Sequence, residues 1–266
     1  MTRIGIIGGG NMGEALLKGL LKKGGISRRN LWMTEVRAAR QAFLRRRYGV
    51  RVLADNRLLA RRCTLLILAV KPQEFPRLFE EVGRLPKGKR ILSIAAGMRT
   101  RRIEGGLGKI PVIRAMPNLA ARVGESITAL TKGRFARRSH LEEAKKIFES
   151  IGEVVVVPEG RLDAITALSG SGPAYVAYLI KILTEAGRDA GLSRELARKL
   201  VLQTFLGSSR YLMEEKVDPE LFIRSVASKG GTTEAAFSVL KKGNLPQLFR
   251  RALRAAARRS KQLSRR

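Results

Sequence analysis

Two glycine-bearing stretches, one near each end of the 266-residue chain, carry the residue types that handle anions. The first, Gly8-Gly9-Gly10-Asn11-Met12-Gly13, fits G-x-G-x-x-G; it follows the apolar run Ile4 to Ile7 and leads into a helical pattern from Glu14. In that setting Gly8 allows a tight turn, Gly10 lets a pyrophosphate approach the backbone, and Gly13 lets the helix pack close to the strand. The helix start adds free N–H groups and the positive end of its dipole. Such a loop binds a dinucleotide. Glu35 ends the second strand pattern, Leu31 to Thr34. A carboxylate there pairs with the 2′-hydroxyl of NAD and repels the 2′-phosphate of NADP, unless it is only a solvated loop acid. Arg37 and Arg40 follow closely and favour the opposite choice, so NADH and NADPH both stay open. The second stretch is Ser228-Lys229-Gly230-Gly231-Thr232-Thr233. A turn here that enters a helix makes an anion nest of its N–H groups, with the Ser228 hydroxyl beside it. Helix capping alone uses the same groups.

Other chemistries are excluded by count. The chain has one histidine, His140, and one cysteine, Cys63. No His pair, Ser-His dyad, disulfide framework or cysteine-ligated zinc can be built from these, and no metal site is expected. Cys63 reads as a small, partly buried residue before the run Thr64 to Val70, and His140 as the start of a surface helix.

The elements that must position the two stretches differ between the halves. In residues 1–158, short strand patterns at Ile4 to Ile7, Leu31 to Thr34, Val50 to Leu53, Thr64 to Val70, Arg90 to Ile94, Pro111 to Ala115 and Val154 to Val157 are interleaved with helical ones such as Glu14 to Lys23, Arg37 to Tyr48 and Gln73 to Gly83. That alternation predicts a parallel sheet with right-handed crossovers. In residues 159–266 only helices are expected: Ala174 to Ala190, Arg194 to Glu215, Pro219 to Val226, Thr233 to Lys242 and Pro246 to Gln262. Their apolar residues lie on more than one side, which calls for burial against another copy. The fold class is therefore α/β: an N-terminal Rossmann-type, doubly wound parallel sheet and an all-helical C-terminal dimerisation domain.

Hydrophobic residues make up 44%, enough for a sizeable core, and no apolar run approaches the ~18 residues of a membrane span. Met1-Thr2-Arg3 runs straight into a strand, unlike a signal peptide, so a soluble cytoplasmic protein is expected. The net charge is +31, spread along the chain except for a cluster at Arg250, Arg251, Arg254, Arg258, Arg259, Lys261, Arg265 and Arg266. A solvated arginine-rich surface accounts for this; nucleic-acid binding is disfavoured, because that cluster has no aromatic for base stacking.

The motifs together resemble the pyrroline-5-carboxylate reductase family. Ile4 to Ala15 is similar to its I-G-x-I-G-x-G-N-M-G-E-A, Ala69-Val70-Lys71-Pro72-Gln73 to A-V-K-P-Q, and Ser93-Ile94-Ala95-Ala96-Gly97 to S-x-A-A-G. Arg114-Ala115-Met116-Pro117-Asn118 is similar to R-x-M-P-N, Ala167 to Tyr175 to A-L-S-G-S-G-P-A-Y, and Val226 to Thr233 to V-x-S-P-G-G-T-T with Lys229 in place of proline. The resemblance implies a homodimer or a larger ring such as a decamer, and hydride transfer from NADPH or NADH to the C=N carbon of 1-pyrroline-5-carboxylate, giving L-proline. It places Asn56 at the adenosine. Ala69, Val70, Lys71, Pro72, Ala96 and Gly97 would line the crevice at the carboxyl edge of the sheet. Lys71 would meet a phosphate or the substrate region, or only snorkel. Met116 and Asn118 would lie near the nicotinamide, or form a turn. Gly8, Gly10, Asn11, Met12, Gly13, Glu35 and Arg37 complete the cofactor set. Ser228, Gly230, Gly231, Thr232 and Thr233 would hold the substrate carboxylate. Thr233, which the resemblance puts near the ring nitrogen, and Ser228 would be the catalytic hydroxyls. Ser169-Gly170-Ser171-Gly172 reads as close packing at a subunit contact or as a helix break. The alternatives are another Rossmann imine or 3-hydroxyacid reductase, for which Lys181 lacks the context, and a basic nucleic-acid-binding protein.

Overall fold

The computed structural model describes residues 2–264. Met1, Arg265 and Arg266, the last two part of the basic cluster above, lie outside the described residues. The chain forms two compact units: residues up to Pro173 together with those from Ala255 onward, and Ala174–Arg254.

The first unit is built on an eight-stranded sheet with the order β3-β2-β1-β4-β5-β6-β7-β8. Its strands are β1 (Ile4–Ile7), β2 (Leu31–Thr34), β3 (Arg51–Leu53), β4 (Leu65–Leu68), β5 (Arg90–Ser93), β6 (Val112–Met116), β7 (Ser126–Lys132) and β8 (Gly152–Val156). The helices α1 (Asn11–Lys22), α2 (Ala38–Tyr48), α3 (Asn56–Arg62), α4 (Phe75–Val82), α5 (Thr100–Leu107) and α6 (Arg138–Glu149) connect them. The strands β1, β2 and β4 are buried at every position, as sheets covered on both faces require. Two clusters fill the space over the two faces, one around Leu16, Leu44 and Phe148, the other around Phe75, Ile103 and Leu107. Cys63 is fully buried in the second, and its thiol is pushed up to about 11 by burial.

The parallel expectation holds for β1 to β6, which pair in parallel. It fails at the far edge. β7 pairs antiparallel to β6, and β8 pairs parallel to β7, so the last two strands run opposite to the rest. β7 has no apolar run to announce it. Its buried residues include Ser126, Thr128 and Thr131, and two of those hydroxyls lie 3.4 Å apart. Threonine is a good strand former, but only a satisfied buried hydroxyl makes this sequence an interior strand.

Past β8 the short helix α7 (Leu162–Ile165) widens into a π-helical turn at Thr166–Gly170, where the Ser171 N–H reaches back to the Thr166 carbonyl. Then follow α8 (Gly172–Asp189), α9 (Arg194–Glu214), α10 (Pro219–Val226), α11 (Thr232–Lys242) and α12 (Leu245–Leu263). Ser193 caps α9, and Asp218 caps α10 just ahead of Pro219. Within the second unit Tyr211 stacks on Phe222 at 5.0 Å, but large apolar side chains face outward, including Tyr178, Met213, Leu221 and Val239. The end of α12 belongs to the first unit, where Ser260 donates to Asp163 at 2.7 Å. No helix among the described residues is long and apolar enough to cross a membrane.

Candidate functional site

The strand order reverses between β1 and β4, which carry crossovers to opposite edges of the sheet. At such a point the loops leaving the carboxyl ends diverge and open a crevice. Here they are the glycine loop after β1 and Ala69-Val70-Lys71 after β4. The cleft they bound, with the ends of β2 and α4, measures about 750 Å³.

Each loop glycine has its own reason. Gly8 has φ +107°, and a Cβ on it would sit 2.6 Å from the Ala69 carbonyl oxygen. A Cβ on Gly13 would stand 2.0 Å from the Gly8 carbonyl oxygen, so the first turn of α1 can lie this close to the strand only with glycine there. Gly10 meets nothing within 4 Å. It faces open space, which is what a group lying against the backbone needs. The helix begins at Asn11, earlier than Glu14, and Gly10 as N-cap has no side chain to occupy the first N–H groups. A dinucleotide pyrophosphate fits this cradle: small backbone, free donors and a helix dipole.

Around the cradle the polar groups are already organised. Glu35 is buried, and its carboxyl is held below the usual range chiefly by hydrogen bonds from the Arg37 side chain. Arg40 donates from Nε to the Gly9 carbonyl at 2.9 Å and pairs with Glu14, which also accepts from the Tyr48 hydroxyl at 2.6 Å. Burial raises the Glu14 pKa, but those two donors outweigh it and the net shift is downward. The Thr34 hydroxyl donates to Asn56 Oδ1 at 2.7 Å, and Asn56 Nδ2 donates to Glu81 at 2.7 Å. The Lys71 N–H is tied to the Glu74 carboxylate at 3.1 Å.

Of the residues expected at the cofactor, Gly8, Gly10, Asn11, Glu35, Arg37, Asn56, Ala69, Val70 and Lys71 line this cleft. Met12, Gly13, Pro72, Ala96, Gly97, Met116 and Asn118 do not. Met12 packs against the core, and Pro72 starts a 3₁₀ turn behind Lys71. Gly97 has φ +75° and lies against Leu263 and Ser264, so its lack of a side chain lets the end of α12 dock. Ala96, beside it, is half-buried after β5. Met116 and Asn118 follow β6 and face the π-helical turn. The Met116 thioether methyl would meet a Cβ on Gly170 at 2.6 Å, and Asn118 Nδ2 donates to Ser169 Oγ at 3.3 Å. The Ser169-Gly170 segment thus finds a packing partner in its own chain. Sequence reading missed Glu74, Arg77 and Glu81 on the cleft wall. One signal was present: Glu74 stands three residues after Lys71, at capping-box spacing.

In the second unit, Gly230 has φ +73° and turns the chain into α11, whose N-cap is Gly231. The Gly231 N–H is used by the Ser228 carbonyl at 3.0 Å, and the Gly230 N–H donates to the Glu234 carboxylate at 2.7 Å. The Thr232 and Thr233 N–H groups head the helix with no side-chain cap among the described residues. Ser228, Lys229 and Thr232 are exposed and Thr233 is half-buried. This is an anion-seeking turn, and one of its donors already holds a carboxylate, the chain's own.

Residues 3–97 match the family model described as NADP oxidoreductase, coenzyme F420-dependent, and residues 159–263 match that of pyrroline-5-carboxylate reductase dimerisation. A pyrroline-5-carboxylate reductase from Synechocystis is 41% identical over 98% of each chain. The solved structure of a pyrroline-5-carboxylate reductase from Coxiella burnetii superposes with a TM-score of 0.90 at 35% identity, covering 99% of this chain and 98% of that one. The Plasmodium falciparum pyrroline carboxylate reductase, solved with NADP bound, gives a TM-score of 0.90 at 28% identity, over 99% and 98%.

Proposed function

This chain belongs to the pyrroline-5-carboxylate reductase family, and we propose that it reduces 1-pyrroline-5-carboxylate to L-proline with NADPH or NADH, as an oxidoreductase acting on a C=N bond in proline biosynthesis. The observation that carries the reading is the cradle at the β1–β4 reversal, where Gly13 is walled in by backbone while Gly10 faces open space. When bound there, the dihydronicotinamide supplies the hydride that reduces the imine carbon.

The chain's own residues bind and orient. Gly8, Gly10, Asn11 and the start of α1, with Met12 and Gly13 shaping it, hold the pyrophosphate. Glu35, Arg37 and Asn56 serve the adenosine end, and Ala69, Val70, Lys71 and Pro72 form the opposite lip. Ala96, Gly97, Met116 and Asn118 are assigned to the nicotinamide end. In the domain we assign to residues 159–266, the amides of Thr232 and Thr233, the glycine turn and the Ser228 hydroxyl take the substrate carboxylate, and displacing Glu234 opens a further N–H. The Thr233 Oγ1 hydrogen-bonds the ring nitrogen and relays to it a proton supplied by a solvent water, so that the imine gains the hydride at carbon and the proton at nitrogen. An alcohol is a weak acid, so its role is orientation and relay rather than strong acid catalysis.

The exposed apolar helices of the second unit support self-association, as a homodimer or as a larger ring such as a decamer. We place the protein in the cytoplasm and give its charge no nucleic-acid role. The test is oxidation of NADPH or NADH by the purified chain with 1-pyrroline-5-carboxylate, with L-proline identified as product. Absence of turnover with both cofactors overturns the reading.

A further inference from the structure

We propose that Arg37, and not Glu35, is the residue that reads the adenosine ribose, that the chain therefore selects NADPH over NADH, and that Glu35 is a positioning residue that holds Arg37 at the cleft wall. The inference rests on the dinucleotide reading above. Sequence position alone argues the opposite, because an acid after the second strand ordinarily accepts the 2′-hydroxyl. The geometry removes Glu35 from that task.

A carboxylate has about four lone-pair directions. Oε1 of Glu35 accepts the Arg37 backbone N–H and Arg37 Nε, both at 3.0 Å, and Oε2 accepts Arg37 Nη2 at 3.2 Å. Three of those directions are filled from within the loop, and the Val36 N–H beside the carboxylate also favours its charged form. The acid is also turned under the loop, with Oε2 3.0 Å from where a Cβ of Gly9 would stand, and its side chain is 6% exposed against 67% for Arg37. A ribose hydroxyl would have to displace a donor or pass under the loop to reach it. Arg37 spends two of the roughly five N–H groups of a guanidinium on Glu35 and keeps the others on an exposed fork, the geometry that suits a phosphate. Arg40 spends the same two groups, on Gly9 and Glu14, but is turned inward, with its side chain 22% exposed; Arg77 leans on Glu81 from α4, and Lys71 stands on the opposite lip after β4. Arg37 is thus the exposed guanidinium that follows directly on the end of β2, where the ribose is read.

Calorimetric titration tests this without turnover. NADPH, NADH and the fragments 2′,5′-ADP and 5′-AMP are titrated into the wild type, Arg37→Ala, Arg37→Lys and Glu35→Gln. The wild type is expected to bind NADPH and 2′,5′-ADP at least about tenfold more tightly than NADH and 5′-AMP. Arg37→Ala is expected to lose roughly 10- to 100-fold for the two 2′-phosphorylated ligands alone, the scale of a hydrogen bond to a charged group. Arg37→Lys recovers part of that loss, since it keeps the charge without the fork. Glu35→Gln leaves NADH affinity within about threefold. An unchanged NADPH-to-NADH ratio in Arg37→Ala, or a selective loss of NADH in Glu35→Gln, overturns the inference while leaving the enzyme reading intact. Binding of neither dinucleotide to the wild type overturns the cofactor reading and this inference with it.

Discussion

The sheet unit seals Leu16, Leu44, Phe75 and Phe148 completely from water, whereas the helical unit leaves Tyr178 62%, Met213 68% and Val239 70% exposed. Inside the helical unit Ala197 and Thr184 are the buried side chains among the described residues. The two regions obtain stability differently. A doubly covered sheet closes its core within one chain, while helices that are apolar on several sides close theirs only against further protein surface. The candidate groups follow the same division. The dinucleotide cradle is made of backbone locked by close packing, and the anion turn is made of exposed helix-end donors.

The largest effect should come from attacking the packed region at its tightest point. Gly13→Ala puts a methyl on the Gly8 carbonyl, and we expect a loss of about 3 kcal/mol or more with loss of dinucleotide binding, read by thermal melting and titration. A melt within a degree of wild type would mean that the cradle is softer than its packing implies. The matching attack on the helical unit is the pair Leu206→Lys and Leu221→Lys, at half-exposed positions. If self-association buries them, each costs about 1.5–3 kcal/mol of association, and sedimentation should show dissociation while dinucleotide binding persists. An unchanged sedimentation profile would break the comparison.

A smaller effect probes the turn itself. Thr233→Val should lower the rate constant roughly 10- to 100-fold with dinucleotide affinity unchanged; an unaltered rate removes this hydroxyl from the chemistry. Glu234→Gln should lower KM a few-fold, because a neutral amide competes less well than a carboxylate for the Gly230 N–H. A raised KM would show that Glu234 shapes the nest rather than competes for it. The smallest effect is in the sheet core. Burial raises the Cys63 thiol to about 11, so its contribution to stability is fully present below the ordinary thiol pKa and is lost as pH rises through the native value. Thiol reagents should therefore modify Cys63 only after unfolding, and rapid native labelling would contradict the sealed core.

Much of this architecture was legible because its signals are local. The glycine spacing after Ile7, the apolar runs of β1 to β6 and the breaks at Asp218-Pro219 and Gly243 each act through neighbours in the chain. β7 was missed because Ser126, Thr128 and Thr131 read as polar until their partners are in place. Gly97, expected at the cofactor, also makes room for Leu263, more than 160 positions away in sequence, a neighbour that no spacing rule foretells.

By itself, then, the sequence determined the periodicities, the turns and the backbone freedom at Gly8 and Gly230, since these depend on side-chain size and chirality within a few residues. The tertiary structure alone decided the direction of β7 and β8, the docking of α12 on Gly97, and the fate of Glu35. An acid whose position suggests a ribose partner is bonded three times by Arg37 and folded under Gly9, because hydrogen-bond partners and burial are assigned by packing, which spacing along the chain does not encode.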